Sequence, residues 1–343
     1  MNAVQLDKIY CEVKSYIDKL DFSKLWNGFE PLKFALYTDE ECFFDGNYIC
    51  KTSQFLANTC IEYNGEHVAI WYLQQEMNPI VLASKIVHEM FHGFQSKSGI
   101  GCFPNELDAL CKYKYSEANL DLKLTENHLL CALLQQFDGS VFEKLLGIRK
   151  YRCDNFPYEY HYEACIEQME GSADFVELMC LKQLSTQLFE QRLLDVKQRI
   201  TDANKLLPVR IVCYDVGALL LYILVQNSID FDHAFAATPI AESLLDGVVA
   251  CSCQAEYFTK DALVEFYRSA SQIIQNALVK NDIVCDEPCD ILGVNVYNAV
   301  YHKNYIISRF FVMFGSQDKP QVQKGNFVIE TTDCKKLNKI YKI

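Results

Sequence analysis

The sequence predicts an α+β protein: a small N-terminal mixed or antiparallel sheet beside one long helix, packed on a larger, mainly helical region. Three observations lead there. Between residues 31 and 73 the hydrophobic period is close to two, in short runs broken by Asp-Gly-Asn and Asn-Gly turns. On either side of that stretch the period is helical. No repeat or low-complexity linker divides the 343 residues, half of which are hydrophobic. That length suits one large domain or two modest ones.

Residues 5–20 place Leu6, Ile9, Tyr10, Val13, Tyr16, Ile17 and Leu20 at helical spacing, which predicts a first helix. LKFALYTD, NYICKT and HVAIWYL follow as strands. Asn78 and Pro79 then supply an N-cap and a first helical residue. The helix runs through IVLASKIVHEMFHGFQSKS and ends at Gly99, a C-terminal cap residue. These elements make an N-terminal subdomain over residues 1–100. From 101 to 343, helices are predicted near 104–119, 124–137, 158–190, 190–204, 208–228, 240–251, 259–280 and 290–314. Strand character returns at QVQKGNFVIET and the end. The two parts are expected to form subdomains of one catalytic unit with a cleft between them.

The net charge is −13 and the pI about 5.0. No basic cluster extends beyond short runs such as Lys335-Lys336, so a phosphate backbone has no face to bind and nucleic acid is an unexpected partner. The acidity also repels anionic membranes. The N-terminal helix carries Asp7, Glu12 and Asp18 and so lacks the apolar core of a signal peptide. The most apolar internal run, Val216 to Val225, is short for a membrane span. The expected location is the cytoplasm. Sixteen cysteines without a secretory signal fit a reducing compartment. Cys11, Cys42, Cys60, Cys131, Cys165 and Cys180 fall mostly among apolar neighbours and read as small core residues. Cys251/Cys253 and Cys285/Cys289 could make a four-thiolate site, but neither pair has CxxC spacing.

The motif that carries chemistry is His88-Glu89-Met90-Phe91-His92. Residues four apart on a helix share one face, so two imidazoles can bind one Zn²⁺. Glu89 lies close enough to act as general base on a metal-activated water. With 7 histidines in the chain, an HExxH arises by chance only about 0.01 times in a sequence of this composition. The helical setting, directly after a predicted strand, strengthens it.

A third ligand must come from elsewhere. Gln95 and Ser98 stand where HExxHxxGxxH would need Gly and His, which excludes the metzincin pattern. The segment from Tyr162 carries acids at Glu163, Glu167, Glu170, Asp174 and Glu177, a continuous stripe on a helix. Read alone, such a stripe is a solvated face. Together, HEMFHGFQ and MEGSADFVE resemble the gluzincins, the zincins whose thermolysin-like and aminopeptidase branches use HExxH plus a downstream glutamate. The resemblance implies a zincin-like fold and zinc held by His88, His92 and Glu170. It further implies that Asp174 orients a ligand histidine and that Gly171 permits close helix approach. Glu167 is the rival ligand, on nearly the same face.

Tyr214-Asp215-Val216-Gly217 is similar to the YxxG pattern of gluzincin aminopeptidases. That likeness implies that Tyr214 supports the oxyanion and that Gly217 allows close packing; a buried structural tyrosine is the alternative. His161, His233 and Arg210 are lesser candidates for substrate contacts. The amine-binding GxMEN segment of aminopeptidases is absent. The resemblance spans residues 65–225, and 77 residues separate His92 from Glu170, so 100–160 reads as an inserted helical unit. The expected activity is hydrolysis of peptides or unfolded protein segments by a zinc metallopeptidase. The alternatives are a silent zincin-fold binding protein and a zinc hydrolase of non-peptide amides or esters.

Overall fold

A computed structural model describes residues 5–235, 237–251 and 254–343, and it is an α+β protein. In chain order the first half carries α1 (Leu6–Ile17), β1 (Lys33–Tyr37), β2 (Cys42–Phe44), β3 (Asn47–Ile49), β4 (Thr59–Tyr63), β5 (Glu66–Tyr72) and α2 (Pro79–Ser98). There follow α3 (Glu106–Lys112), α4 (Glu117–Gln135), α5 (Gly139–Asn155), α6 (Pro157–Ile166), a π-helical segment (Glu167–Gly171), α7 (Ser172–Leu184), α8 (Thr186–Ile200) and α9 (Val209–Gln226). The C-terminal part holds α10 (Ile240–Ser243), α11 (Lys260–Lys280) and nine strands, β6 to β14, between Ile283 and Lys342.

These elements form two units, each assembled from three stretches of chain. The first comprises Met1–Cys102, Glu167–Gln198 and Tyr214–Leu244; the second comprises Phe103–Ile166, Arg199–Cys213 and Leu245–Ile343. The division expected at residue 100 coincides with the first crossing only. The stretch carrying Glu170 groups with the N-terminal elements rather than with the rest of 101–343.

In the first unit the sheet has the order β3-β2-β1-β5-β4. It is mixed, because β1 and β5 run parallel (Phe34 beside Ala69) while the other pairs are antiparallel. Ala35, Tyr37, Val68 and Ile70 turn one face into a core with Cys42 and Phe55. On α1, Leu6, Tyr10, Val13 and Ile17 are buried, and the Tyr10 ring stacks on Phe34 at 4.2 Å. Helix α2 begins where Asn78 Oδ1 accepts from the backbone N–H groups of Ile80 and Val81 at 2.9 and 3.4 Å. It ends at Gly99, whose φ of +71° reverses the chain. A Cβ on Gly93 would stand 2.6 Å from Leu32 and 2.7 Å from the Cys60 sulfur on β4, so glycine there sets how near the helix lies to the sheet.

The second unit departs from expectation most at its C-terminus. The helix predicted near 290–314 is instead β7 (Cys289–Val294), β8 (Val300–His302), β9 (Tyr305–Ser308) and the start of β10 (Phe311–Ser316). Lys303 and Asn304 adopt φ of +48° and +67°, the tight reversal that joins β8 to β9 as a hairpin. The neighbouring Val, Ile, Tyr and Phe residues fit a pleated surface better than a helix. With β6 (Ile283–Cys285), β11 (Lys319–Lys324), β12 (Phe327–Glu330), β13 (Lys336–Leu337) and β14 (Lys339–Lys342), two antiparallel sheets form, ordered β11-β10-β7-β13 and β6-β14-β12-β9-β8. Helix α11 packs Ala270, Ile274 and Ala277 on Ile307, Val328 and Tyr341.

Smaller differences have local causes. The span 104–119 breaks into α3 and α4 at Ser116, whose Oγ accepts from Asn119 N–H. Helix α5, unread in the sequence, starts where Asp138 accepts from Ser140 N–H at 2.8 Å. The helix expected over 240–251 shrinks to four residues, α10. Helix α9 is the one described helix long and apolar enough to cross a membrane, and 72% of it is buried, as in a core helix.

The cysteines are not uniformly free. Cys111 and Cys334 form a disulfide inside the second unit, with Cα atoms 6.2 Å apart, and Cys165 is also disulfide-bonded. Cys42 and Cys180 are buried thiols as expected, whereas Cys11 is exposed. Cys253 lies outside the described residues, and Cys285 and Cys289 are half-buried free thiols that join no metal-binding group among the described residues.

Glu163, on α6, is held in a buried charge network of the second unit. Arg152 donates to it at 2.6 Å and to both oxygens of Glu126 at 3.1 Å; Tyr113 donates to it at 2.6 Å and Lys123 lies 3.1 Å away. Burial alone would raise the Glu163 pKa, but Arg152 and Lys123 outweigh it and bring it down to about 2. A carboxyl depressed in the folded state stabilises fully above its unfolded value, near 4.5, and loses that contribution as pH falls through about 2. Glu163→Gln should therefore lower stability near neutrality by about 3–5 kcal/mol. It should also flatten the loss of stability between pH 4.5 and 2. Denaturant melts of both proteins across that range check this, and an unchanged acid limb would refute it.

Candidate metal centre

Helix α2 presents His88 and His92 one turn apart, and their Nε2 atoms face each other at 3.1 Å. The chain that meets them is not the uniform helix expected over 158–190. The π-helical turn at Glu167–Gly171 inserts extra backbone into the helix, which re-aims the side chains that follow it. The acid stripe is thereby divided. Glu163 serves the network of the second unit, while Glu170, Asp174 and Glu177 turn toward His88. These three acids are only 8%, 8% and 5% exposed, so the stripe is not a solvated face.

Glu170 Oε2 lies 3.4 Å from His92 Nε2 and 4.0 Å from His88 Nε2. The three atoms form one group that could hold a metal ion, and Glu167 is not in it. Two ligand atoms each ~2.1 Å from one tetrahedral ion stand about 3.4 Å apart, and the three separations straddle that value. Glu167 is buried too, with its backbone carbonyl beside Gly217.

The far nitrogen of each imidazole is also engaged. His88 Nδ1 is 3.2 Å from Asp174 Oδ1 and 3.6 Å from Glu177 Oε2. Arg192 reaches Asp174 at 2.9 Å and Asp215 at 3.4 Å, and Lys85 is 3.5 Å from Glu177. His92 Nδ1 faces Gln95 Oε1 at 2.8 Å. The amide orientation of Gln95 is fixed by its NH₂ group, which donates to the Met169 carbonyl at 2.7 Å and to Ser172 Oγ at 2.9 Å. Gln95 thus sets His92 with its proton on Nδ1, and the two carboxylates beside His88 Nδ1 favour the same form there, with the two Nε2 atoms opposed at 3.1 Å. Such an arrangement calls for a cation between them. Burial opposes a charge on His88, yet Asp174, Glu89 and Glu177 raise its pKa to about 9. The residues fit a divalent metal.

Glu89 is 9% exposed. Burial pushes its carboxyl above the ordinary range, His88 and His92 pull it back, and Glu170 and Glu177 push it up again. The net result is a more basic carboxylate than one in water.

Helix α9 approaches this region through glycine. A Cβ on Gly217 would sit 2.5 Å from the Glu167 carbonyl oxygen, and one on Gly171 would sit 2.7 Å from the Gly217 Cα. The two glycines, expected to allow close packing, face each other. Tyr214 is half-buried one turn earlier on α9, beside Asp215, which is 1% exposed and paired with Arg192. His233 belongs to an aromatic cluster, with its ring 5.0 Å from Trp26 and 4.1 Å from Phe231. His161 and Arg210 lie in the second unit, where Glu106 holds Arg210 at 2.8 Å.

Three participants went unread in the sequence: Gln95, Arg192 and Glu177 as a neighbour of His88. Gln95 had a signal, three residues after His92 on one helix face. Arg192 had none, because a helix end separates it from Asp174. Comparison with family models, curated proteins and solved structures finds no match for this chain.

Partners that fix a ligand histidine commonly govern metal affinity by ~10–100-fold. Asp174→Asn and Gln95→Leu should each weaken binding of a divalent metal by about that factor, measured by competition with a chromogenic chelator. Affinity equal to wild type in both variants would show that neither side chain supports the site.

Proposed function

We propose that this chain is a zinc-dependent metallopeptidase with a zincin-like catalytic unit. The observation that carries the proposal is the convergence of His88 Nε2, His92 Nε2 and Glu170 Oε2 with the buried Glu89 one residue from His88. Two imidazoles and one carboxylate are a donor set that suits zinc and leaves one position open. The resemblance of HEMFH and EGSAD to gluzincin motifs supports the same reading.

His88, His92 and Glu170 would hold the ion, which when bound lowers the pKa of a water and polarises the scissile carbonyl. Glu89, made more basic by burial, takes the proton of the attacking water and passes it to the leaving nitrogen. Asp174 and Gln95 would favour the tautomer of each imidazole that leaves Nε2 free to hold the ion. Arg192 holds Asp174 in place from behind. Tyr214 donates its phenolic proton to the developing oxyanion. The substrate is a peptide or an unfolded protein segment.

Elemental analysis should find one zinc per chain, lost on replacing His88 or His92 by Ala; full zinc in both variants would remove the site. Glu89→Gln should keep metal and fold while losing most turnover of a mixed peptide library, since the side chain stands outside the ligand set. A silent binding protein would show no cleavage in the parent chain, and a hydrolase of non-peptide amides or esters would cleave model esters but no peptide.

Tyr214→Phe should lower kcat with little change in KM, because a donor to the oxyanion acts only in the transition state. Loss of one such donor costs ~3 kcal/mol, or about 10²-fold. A normal single-turnover rate with a reduced Tm would make the tyrosine structural instead.

A further inference from the structure

The second unit contains a cleft of about 330 Å³ that takes no part in the proposed chemistry. Its volume falls in the range of small-molecule sites. One wall is the apolar stripe of α11, including Phe266 and Ile273; Leu207 and Pro208 form a second, and Val300 and Ile307 of β8 and β9 form the floor. A ligand's apolar body would be desolvated there.

Arg309 and Asn298 bring polar groups to this lining. Arg309 is exposed and has no ion pair or hydrogen bond among the described residues, although every arginine can serve five donors. Asn298 Oδ1 is buried without a partner. The carboxylate nearby, Glu265, is already neutralised by Arg268, which donates to both its oxygens at 2.7 Å. The lining thus offers one uncompensated positive charge beside an apolar hollow.

The turn that carries Arg309 is held in a costly conformation. Phe310, the next residue, has φ of +73° and is 66% exposed, unusual on both counts for a bulky aromatic. It is fixed by Asn326 Oδ1, which accepts from its N–H at 3.2 Å, and by Gly325 N–H, which donates to its carbonyl at 3.0 Å. A strained backbone held by specific bonds places Arg309 at the cleft before any ligand arrives.

We propose that this cleft binds an amphipathic carboxylate: an anionic head on Arg309 and an apolar body between α11 and the β8–β9 hairpin. Planar guanidinium matches carboxylate geometry and supplies the specificity. The chemistry is shared by the C-terminal carboxylate of an apolar peptide and by a free aliphatic acid. The site shares no residue with the proposed metal centre, so the two proposals fail separately.

Calorimetric titration of the full chain with octanoate, N-acetylphenylalanine and the neutral amide of each tests this. At least one acid should bind saturably, and its amide about ten-fold more weakly, as expected for loss of a charge-assisted contact. Arg309→Gln, at an exposed position that folding does not depend on, should bring the acid down to the affinity of its amide. Preference for octanoate assigns the site to free acids; preference for N-acetylphenylalanine assigns it to peptide C-termini. Absence of saturable binding by both acids, or acid binding by Arg309→Gln as tight as by the parent chain, would overturn the proposal.

Discussion

The packing of three buried acids against a pair of imidazoles sets the terms for the rest of the first unit. A buried carboxylate is tolerated only where cations or donors surround it. Glu170, Asp174 and Glu177 meet this demand through His88, His92, Lys85 and Arg192. The consequence is order. His92 has one nitrogen bonded to Gln95 and His88 has one beside two carboxylates, and the remaining two face each other. A site assembled in this way is ready for a cation before one arrives, which is the general requirement for tight metal binding.

Backbone features secure that arrangement. Asn78 and Pro79 start α2 at a fixed residue, which sets the rotation of His88 and His92 about the helix axis. The π-helical turn, which contains Glu170, shifts the phase of the chain there, and it lies where Gly171 and Gly217 let α9 come within backbone contact. A side chain at either glycine would push the helix away and carry Asp215, the second partner of Arg192, with it. Close packing and charge placement are therefore one constraint, seen from two sides.

The second unit handles buried charge differently. Arg152 and Lys123 neutralise Glu126 and Glu163 with no histidine among them, so in that network fixed cations balance the carboxylates. It is a structural use of the same physics. Glu163 and Glu170 stand seven residues apart on what reads as one stripe, yet they belong to different units and serve different ends.

The sequence by itself determined whatever depends on local periodicity and chemistry. Three strands of the first sheet, the caps of α2 and the pairing of His88 with His92 were legible, because alternation marks a strand and a helix of known pitch places residues four apart on one face, whereas Glu170 was preferred to Glu167 only through the likeness of its segment to gluzincin motifs. It misread 290–314, where a run of apolar residues fits either period and only the positive φ of Lys303 and Asn304 decides for a hairpin. It treated the acids from 163 to 177 as one face, since nothing in composition marks a π-helical turn. Gln95, Arg192, the Cys111–Cys334 pairing and the facing glycines needed the tertiary structure. Each joins residues far apart in the chain or on separate elements, and their contacts are set by packing rather than by spacing.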